Sequence, residues 1–205
     1  MNFLNSKAEV ENKEQLLVKP KREEAEEAVR TLLRWAGDDP SREGLVDTPS
    51  RVVRAYTEWF SGYNQDPEKI LQRTFEEVAG YSEIVTLKDI RFESYCEHHL
   101  APIIGMVHVA YIPAERVVGI SKIARLVDAF SKRLQVQEKM TSQIANTLQT
   151  VLKPLGTAVL VEGEHHCMCT RGVHKTTSTM VSSAFTGNFQ KSQNLKNDFY
   201  KIVGK

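Results

Sequence analysis

Apolar residues in the first part of the chain recur at helical spacing. Between Glu23 and Ala36 they fall three and four residues apart, which predicts an amphipathic helix that ends at Gly37. Asp47-Thr48-Pro49 predicts the start of a second helix, with proline in its first turn, and Asp66-Pro67 opens a short third helix. The predicted inward stripe of the second helix is Val52, Val53, Tyr56 and Phe60.

Beyond residue 80 the pattern changes to β-rich segments and two longer helices. The predicted strands are Ile84–Phe92, Met106–Ile112, Thr157–Val161 and Thr176–Phe185. The predicted helices are Ser121–Lys132, Val136–Leu152 and a short terminal one, Asn194–Lys205. The order strand-strand-helix-helix-strand-strand predicts an α+β fold, with an antiparallel four-stranded sheet covered by helices on one face. We therefore expect a flexible tail at 1–20, a helical region at 21–80 and an α+β domain at 81–205.

Composition and charge exclude several function classes. The 205 residues carry a net charge of +1, which gives no general attraction to nucleic acid or to a membrane surface. No apolar stretch approaches the length of a membrane span, and charges interrupt the apolar residues of the N-terminus, so no signal-peptide core is predicted. Three cysteines make no disulfide framework. A reducing, cytoplasmic location is expected.

Cysteine and histidine are concentrated in two short clusters. The clusters, which contain all three cysteines and four of the six histidines, are Cys96–His99 and His165–Cys169. Thiolate and imidazole together are typical zinc ligands. Cys96 and His99 form a C-x-x-H pair and Cys167 can supply a third ligand, which leaves a fourth tetrahedral position open, as in catalytic zinc sites. The alternative is a closed structural site with Cys169 as fourth ligand.

The second cluster also suggests residues that transfer protons. If it continues a strand, residues two apart face the same way, so His165, Cys167 and Cys169 share one side and His166 takes the other. His165 then lies beside the metal without binding it, and His98 is a second unligated imidazole in the loop. Zinc brings the pKa of bound water toward neutrality, where histidine also titrates. This combination is typical of a hydrolytic zinc site.

Cationic and hydroxyl residues indicate a phosphate-bearing substrate. Helix starts that combine hydroxyl, backbone N–H and cationic groups favour phosphate. The residues of this kind are Ser121, Lys122, Arg125, Arg171, Arg51 and Arg54. Taken singly, each is as well explained as a solvated surface group. Gln137 and Glu138, at another helix start, are either a capping pair or contacts to a purine, because a carboxylate can accept both the N1–H and the exocyclic amine of guanine.

Several sequence runs together resemble the GTP cyclohydrolase I family. They are CEHHLAPIIGMVHVAYIP, VVGISKIARLVDAFSKRLQVQEKMTSQIA, EHHCMCTRGV and, in the helical region, DTPSRVVRAYTEWFSGY. The resemblance covers roughly residues 25–200 and implies the tunnelling fold, with residues 81–205 as the catalytic domain. It also implies a toroidal homodecamer and one zinc ion per subunit, held by Cys96, His99 and Cys167.

The resemblance implies a reaction and a role for each candidate residue. The guanine imidazole ring of GTP is opened hydrolytically at C8, formate is released, and the ribose rearranges to give 7,8-dihydroneopterin triphosphate for folate or other pterin pathways. His165 is expected to protonate a ring nitrogen and His98 to transfer a proton at the ribose, although the two assignments can be exchanged. Glu138, with Gln137 nearby, would hold the pyrimidine edge of guanine.

The phosphate-type residues and the departures from the family complete these expectations. The residues expected to hold the triphosphate and ribose are Ser121, Lys122, Arg125 and Arg171, with Arg51 and Arg54 reaching in from a neighbouring subunit. Leu134 stands where the family often has proline, and Cys169 is an extra thiol. Two other classes stay open. A tunnelling-fold nitrile reductase would need a nucleophilic cysteine and a nicotinamide, and a non-catalytic zinc-stabilised assembly protein would need a fourth ligand.

Overall fold

The structure is a computed structural model that describes residues 19–75 and 83–205. Most of the predicted tail at 1–20, and the predicted division near residue 80, lie outside the described residues. The described residues form two compact units, which divide between Thr57 and Glu58. The predicted boundaries at residues 20 and 80 stay predictions.

The two helices that begin in the first unit start within one residue of the predicted positions, and Phe60 of the second predicted stripe lies just beyond its helix. Helix α1 spans Arg22–Trp35 and is followed by Gly37, whose φ of +92° is a conformation that glycine adopts without a steric penalty. Helix α2 spans Thr48–Trp59, with Pro49 in its first turn. Both predicted helices are confirmed. The apolar residues predicted to face inward are less buried than predicted. Helix α1 contains no buried residue, and Pro49 is the buried residue of α2.

The second unit begins with short elements. A 3-10 turn at Ser61–Asn64 precedes helix α3, Pro67–Leu71. The Asp66 carboxylate caps α3 by accepting hydrogen bonds from the amides of Glu68 and Lys69, at 3.1 and 3.2 Å. The predicted start of this helix is therefore confirmed. Two short strands, β1 (Thr74–Phe75) and β4 (Val117–Val118), pair with each other away from the main sheet.

The main sheet has the predicted antiparallel strands and one addition. The strands are β2 (Val85–Cys96), β3 (Pro102–Ile112), β5 (Leu134–Gln135), β6 (Gly156–His165) and β7 (Thr179–Phe185). Their order is β5-β2-β3-β6-β7, in which β5 is parallel to β2 and the four longer strands are antiparallel. The predicted four-stranded sheet is thus confirmed. The two-residue β5 is too short to give a periodic signal in the sequence.

The core lies between one face of the sheet and helices α4 (Ile120–Ser131) and α5 (Gln137–Leu152). The residues of α4 predicted to point inward, Ile123, Leu126, Val127 and Phe130, are all buried. Val107 and Val109 of β3 face this core, whereas Ala110 faces the other side of the sheet, as strand alternation requires.

Two C-terminal helices pack on that other side. They are α7 (Gly187–Lys191) and α8 (Gln193–Val203), and their Phe189 and Phe199 are fully buried against the sheet. Helices therefore contact both faces, whereas the sequence predicted cover on one face. Across the described ranges, no helix combines the length and the apolar character that crossing a bilayer requires.

Candidate metal centre and active site

Strand register brings the two cysteine-histidine clusters to one end of the sheet. β2 ends at Cys96 and β6 ends at His165. Both strands flank the start of β3, where Tyr95 lies opposite Pro102 and Ile103 lies opposite His165. β5 pairs with the last two residues of β2, and α5 begins two residues after β5. The first turn of α5 is therefore held beside the first cluster.

A tight turn presents the ligands of the first cluster. The Cys96 amide donates to the Ala101 carbonyl at 2.8 Å, and the Cys96 carbonyl accepts from the amides of His99 and Leu100 at 3.3 and 2.9 Å. Leu100 adopts φ +55°, the left-handed region that non-glycine residues rarely visit. The turn folds His99 back over Cys96, so that His99 Nδ1 lies 3.8 Å from Cys96 Sγ.

The second cluster leaves the strand earlier than predicted. β6 ends at His165, and His166–Cys169 forms a helical turn, α6. The prediction that His165, Cys167 and Cys169 share one side of a strand is therefore wrong. Pairing runs out here because β3 begins at Pro102 and β7 at Thr179, and backbone without a neighbouring strand needs other hydrogen-bond partners.

The helical turn nevertheless brings the predicted ligands together. Ligand atoms of Cys96, His99 and Cys167 all lie within 4.8 Å of one another. A tetrahedral zinc ion, with Zn–S of about 2.3 Å and Zn–N of about 2.0–2.1 Å, holds such atoms roughly 3.5–3.8 Å apart. The triad fits an ion with only small movements. Cys169 points elsewhere, because its Sγ donates to the Lys175 carbonyl at 3.4 Å.

The protonation state of the Cys167 thiol depends on the charged groups around it. Burial raises the pKa of the Cys167 thiol, and the neighbouring Cys96 sulfur raises that pKa further, while the Arg171 guanidinium opposes both effects. Two adjacent thiolates therefore need a compensating cation. A bound metal dication supplies that compensation, since coordination deprotonates a thiol outright.

His98 and His165, the two imidazoles predicted to transfer protons, have different surroundings. The His98 side chain is 66% exposed, and its Nδ1 lies 3.8 Å from Cys96 Sγ. His165 is half-buried, and its Nε2 lies 2.9 Å from Gln137 Oε1. Burial lowers the pKa of His165, and the charge of Glu138 partly offsets that effect. The His165 ring is therefore mostly neutral at neutral pH.

Two predicted substrate residues, Arg171 and Glu138, lie near these groups. Arg171 Nη1 is 3.0 Å from His99 Nε2. Glu138 is exposed in the first turn of α5, beside the buried Gln137. The residues predicted for phosphate in the first turns of α4 are Ser121, Lys122 and Arg125.

The remaining two candidates, Arg51 and Arg54, belong to the first unit. Both lie on α2, where Arg51 Nη2 contacts Asp47 Oδ2 at 3.0 Å. The predicted contact of these arginines with the substrate of a neighbouring subunit stays a prediction.

Sequence reasoning missed two residues that shape the site. Ser182 of β7 accepts a hydrogen bond from Gln137 Nε2 at 3.0 Å, and Gly163 of β6 lies against the same glutamine. A glycine inside a strand often marks the close approach of another group, so the sequence could have drawn attention to Gly163. It could not have done so for Ser182, because the contact of Ser182 depends on the pairing of β6 with β7.

The fold and the site define a metal-binding enzyme, in which a thiolate-imidazole triad is placed beside a hydrogen-bonded histidine. Residues 25–204 match the family described as GTP cyclohydrolase I, and the chain belongs to that family. The predicted family, its tunnelling fold and its enzymatic class are confirmed.

Similar proteins with the name GTP cyclohydrolase 1 come from several bacteria. The protein of Maricaulis maris (strain MCS10) is 59% identical over 90% of this chain and 90% of its own length. That of Hyphomonas neptunium (strain ATCC 15444) is 57% identical over 91% of each. Among solved structures, the archaeosine synthase QueF-Like in the apo form is 22% identical, with a TM-score of 0.42, over 51% of this chain and 93% of its own.

Proposed function

We propose that this chain hydrolyses GTP at C8 of the guanine ring, releases formate and forms 7,8-dihydroneopterin triphosphate, with zinc held by Cys96, His99 and Cys167. The observation that carries the proposal is the convergence of these three ligands in a chain of the GTP cyclohydrolase I family. The family implies GTP as substrate and a metal at this triad. We further propose that the metal is zinc, that His98 and His165 transfer protons, and that the chain acts as an oligomer.

Zinc is favoured by the chemistry of the donor set. Two thiolates and one imidazole suit zinc, whereas oxygen ligands would suit magnesium or calcium. Three protein ligands leave a tetrahedral position open. When bound there, zinc supplies Lewis acidity that activates water near neutral pH.

We propose that the two histidines transfer protons at different positions of the substrate. His165, half-buried and fixed by Gln137, would deliver a proton to a guanine ring nitrogen as the imidazole ring opens. His98, which is largely exposed at the turn, would serve the ribose during the later rearrangement. Because His165 is half-buried and held by a hydrogen bond, it suits protonation of one ring nitrogen better than it suits the later rearrangement of the ribose.

Recognition of guanine is assigned to Glu138. Its carboxylate is exposed at the start of α5 and can accept hydrogen bonds from N1–H and the 2-amino group of guanine. Adenine lacks both donors and would leave the carboxylate without a partner, so it is rejected. The groups proposed to bind the triphosphate and ribose are Ser121, Lys122, Arg125 and Arg171.

We also propose that the active form is a homodecamer, in which Arg51 and Arg54 complete the site of a neighbouring subunit. Strand β7 supports this assembly, because it forms the outer edge of the sheet and Val181 on it is 56% exposed. Sedimentation of the zinc-loaded protein tests the state directly. A monomer that is fully active would contradict it. The cysteines, none of which forms a disulfide, favour a cytoplasmic location.

One experiment tests the central proposal. Zinc-loaded protein is incubated with GTP, and formate and the fluorescent oxidised pterin are measured in the same samples. Both products are expected in equal amounts, lost after chelation and restored by added zinc, with ATP giving neither. Absence of formate from zinc-loaded protein would overturn the proposal, and formate that persists after complete metal removal would overturn its zinc-dependent part.

A further inference from the structure

The buried amide of Gln137 connects α5, β6 and β7 beneath His165. Gln137 is only 1% exposed. Its Nε2 donates toward the carbonyls of Val161 and Met180 and the Ser182 hydroxyl, at 3.1, 3.0 and 3.0 Å. Its Oε1 lies 2.9 Å from His165 Nε2. The side chain therefore has no room to reach a substrate.

The acceptors around Gln137 fix which way its amide points. Backbone carbonyl oxygens can only accept hydrogen bonds, so the amide NH2 must face Val161 and Met180. The hydroxyl groups of Thr141 and Ser182 are consistent with this orientation of the Gln137 amide. Thr141 donates to the Gln137 backbone carbonyl at 2.7 Å, which leaves the Ser182 proton for the 2.7 Å contact with Thr141. Ser182 is then free to accept from Gln137.

The amide orientation in turn fixes the tautomer of His165. Since Gln137 Oε1 can only accept, His165 Nε2 must carry the hydrogen in this contact. In the neutral ring, the lone pair is then on Nδ1. A histidine without such a partner can exchange between its two tautomers, and only one of them would place a proton acceptor where it is needed.

We propose that Gln137 is a positioning residue, which acts through His165 by holding it in the Nε2–H tautomer and does not contact GTP. This inference rests on the proposed function for the role of His165. In the reaction, the Nδ1 lone pair would take up the proton that the attacking water releases and pass it to a guanine ring nitrogen, while Nε2–H stays bound to Gln137. The geometry thereby gives Gln137 a different role from the substrate contact that its place beside Glu138 suggested.

The test is the variant Gln137→Ala, compared with Gln149→Ala. Gln149 is a matched control on the same helix, since its amide also bridges to other elements, at Pro154 and Thr186, but away from the metal triad. Gln137→Met, which keeps the side-chain volume without the amide, provides a second variant if the alanine variant folds poorly.

The first measurement is 15N NMR of histidine-labelled, zinc-loaded protein sedimented without GTP. The His165 signals, assigned by their loss in His165→Asn, should show a single Nε2–H tautomer in the parent and in Gln149→Ala. A tautomer mixture or the Nδ1–H form is expected in Gln137→Ala and Gln137→Met. A His165 tautomer unchanged in both would overturn the proposal, whether or not the protein turns over GTP.

The second measurement separates positioning from substrate binding. Proton transfer by a placed side chain contributes roughly 10²–10⁴-fold to rate, so disordering it should lower kcat by about tenfold or more. KM for GTP and zinc content should stay at the parental values, because Gln137 touches neither. A raised KM with unchanged kcat would instead assign Gln137 to the substrate. Lack of formate in the parent protein would count against the proposed function and leave the tautomer result standing.

Discussion

Gly163 and Gln137 approach each other so closely that β6 has no space for a side chain at this position. A Cβ on Gly163 would lie 2.5 Å from Gln137 Oε1 and 3.0 Å from Ile103 Cγ2. Non-bonded heavy atoms pack at about 3.5–4.0 Å. Gly163 therefore preserves the position of the amide oxygen that contacts His165.

Gly163→Ala is expected to displace the Gln137 amide and lower turnover. The added methyl group must push Oε1 away from His165 Nε2, while overpacking costs the fold about 1–3 kcal/mol. We expect kcat to fall by about tenfold, on the same basis as for loss of the amide, with zinc retained. Steady-state kinetics, zinc analysis and thermal unfolding on one preparation check the three effects separately.

Gly44→Ala is the control for this change. A Cβ there would meet only the guanidinium end of Arg42, which pairs with Asp38 on an exposed loop and can shift at little cost, because exposed ion pairs contribute at most about 1 kcal/mol. Activity and melting temperature should match the parent. If Gly163→Ala also kept full turnover, the close approach would have no bearing on His165.

The elements that the sequence predicted well are those with strong local signals. Helix α4 shows its inward stripe at helical spacing, and Asp66 caps α3 as a helix-start residue should. The metal triad was predictable because thiolate and imidazole are rarely grouped without a reason. In each case the information is contained in a few neighbouring residues.

Features that depend on distant pairing were not predictable. The turn at His166 follows from where β3 and β7 begin, which the residues of the second cluster do not encode. Gln137 is adjacent to Glu138 in sequence, yet one side chain is buried and the other exposed. Only the meeting of α5 with β6 and β7 distinguishes them. Hydrophobic periodicity cannot show which of two adjacent polar residues at a helix start is buried.

Cys167→Ser and Cys169→Ser are expected to differ sharply in zinc retention, although the two thiols lie on the same helical turn. Cys167 is a member of the ligand triad, whereas the Cys169 thiol donates to the Lys175 carbonyl. Loss of a thiolate from a three-ligand site should remove most of the metal, and Cys169→Ser should keep it. Zinc per chain, measured by mass spectrometry after brief chelation, checks this expectation.

The same pair of variants separates a catalytic site from a closed structural one. A closed site uses four protein ligands, so Cys169→Ser would then release zinc as readily as Cys167→Ser does. That result would remove the open position on which the proposed hydrolysis depends.

Glu138→Ala should weaken GTP binding while zinc content stays constant. Hydrogen bonds to a charged group contribute about 1.5–3 kcal/mol, so the dissociation constant should rise by roughly 10- to 150-fold. Calorimetry with GTP and ATP on zinc-loaded protein measures both affinity and selectivity. Lys139→Ala, an exposed neighbour on the same turn, is the control. Unchanged GTP affinity in Glu138→Ala would remove this residue from guanine recognition.

Arg171→Ala should lower the affinity for GTP without weakening zinc retention. A guanidinium can only donate hydrogen bonds, so its 3.0 Å contact makes His99 Nε2 the acceptor. The proton of the neutral His99 ring is then on Nδ1, the nitrogen that faces Cys96. This contact therefore opposes the tautomer in which Nδ1 binds a metal, and the positive charge of Arg171 also repels a cation. Removing the side chain relieves both effects. It also removes a cation that lowers the Cys167 pKa, but a bound dication takes over that role. The proposed charged contact to phosphate, worth about 1.5–3 kcal/mol, would be lost.

Titration with a zinc indicator and the KM for GTP check the two outcomes, with Arg22→Ala on the exposed face of α1 as control. Zinc loss in Arg171→Ala comparable to that in His99→Ala would assign Arg171 to support of the metal ligand instead of to the substrate.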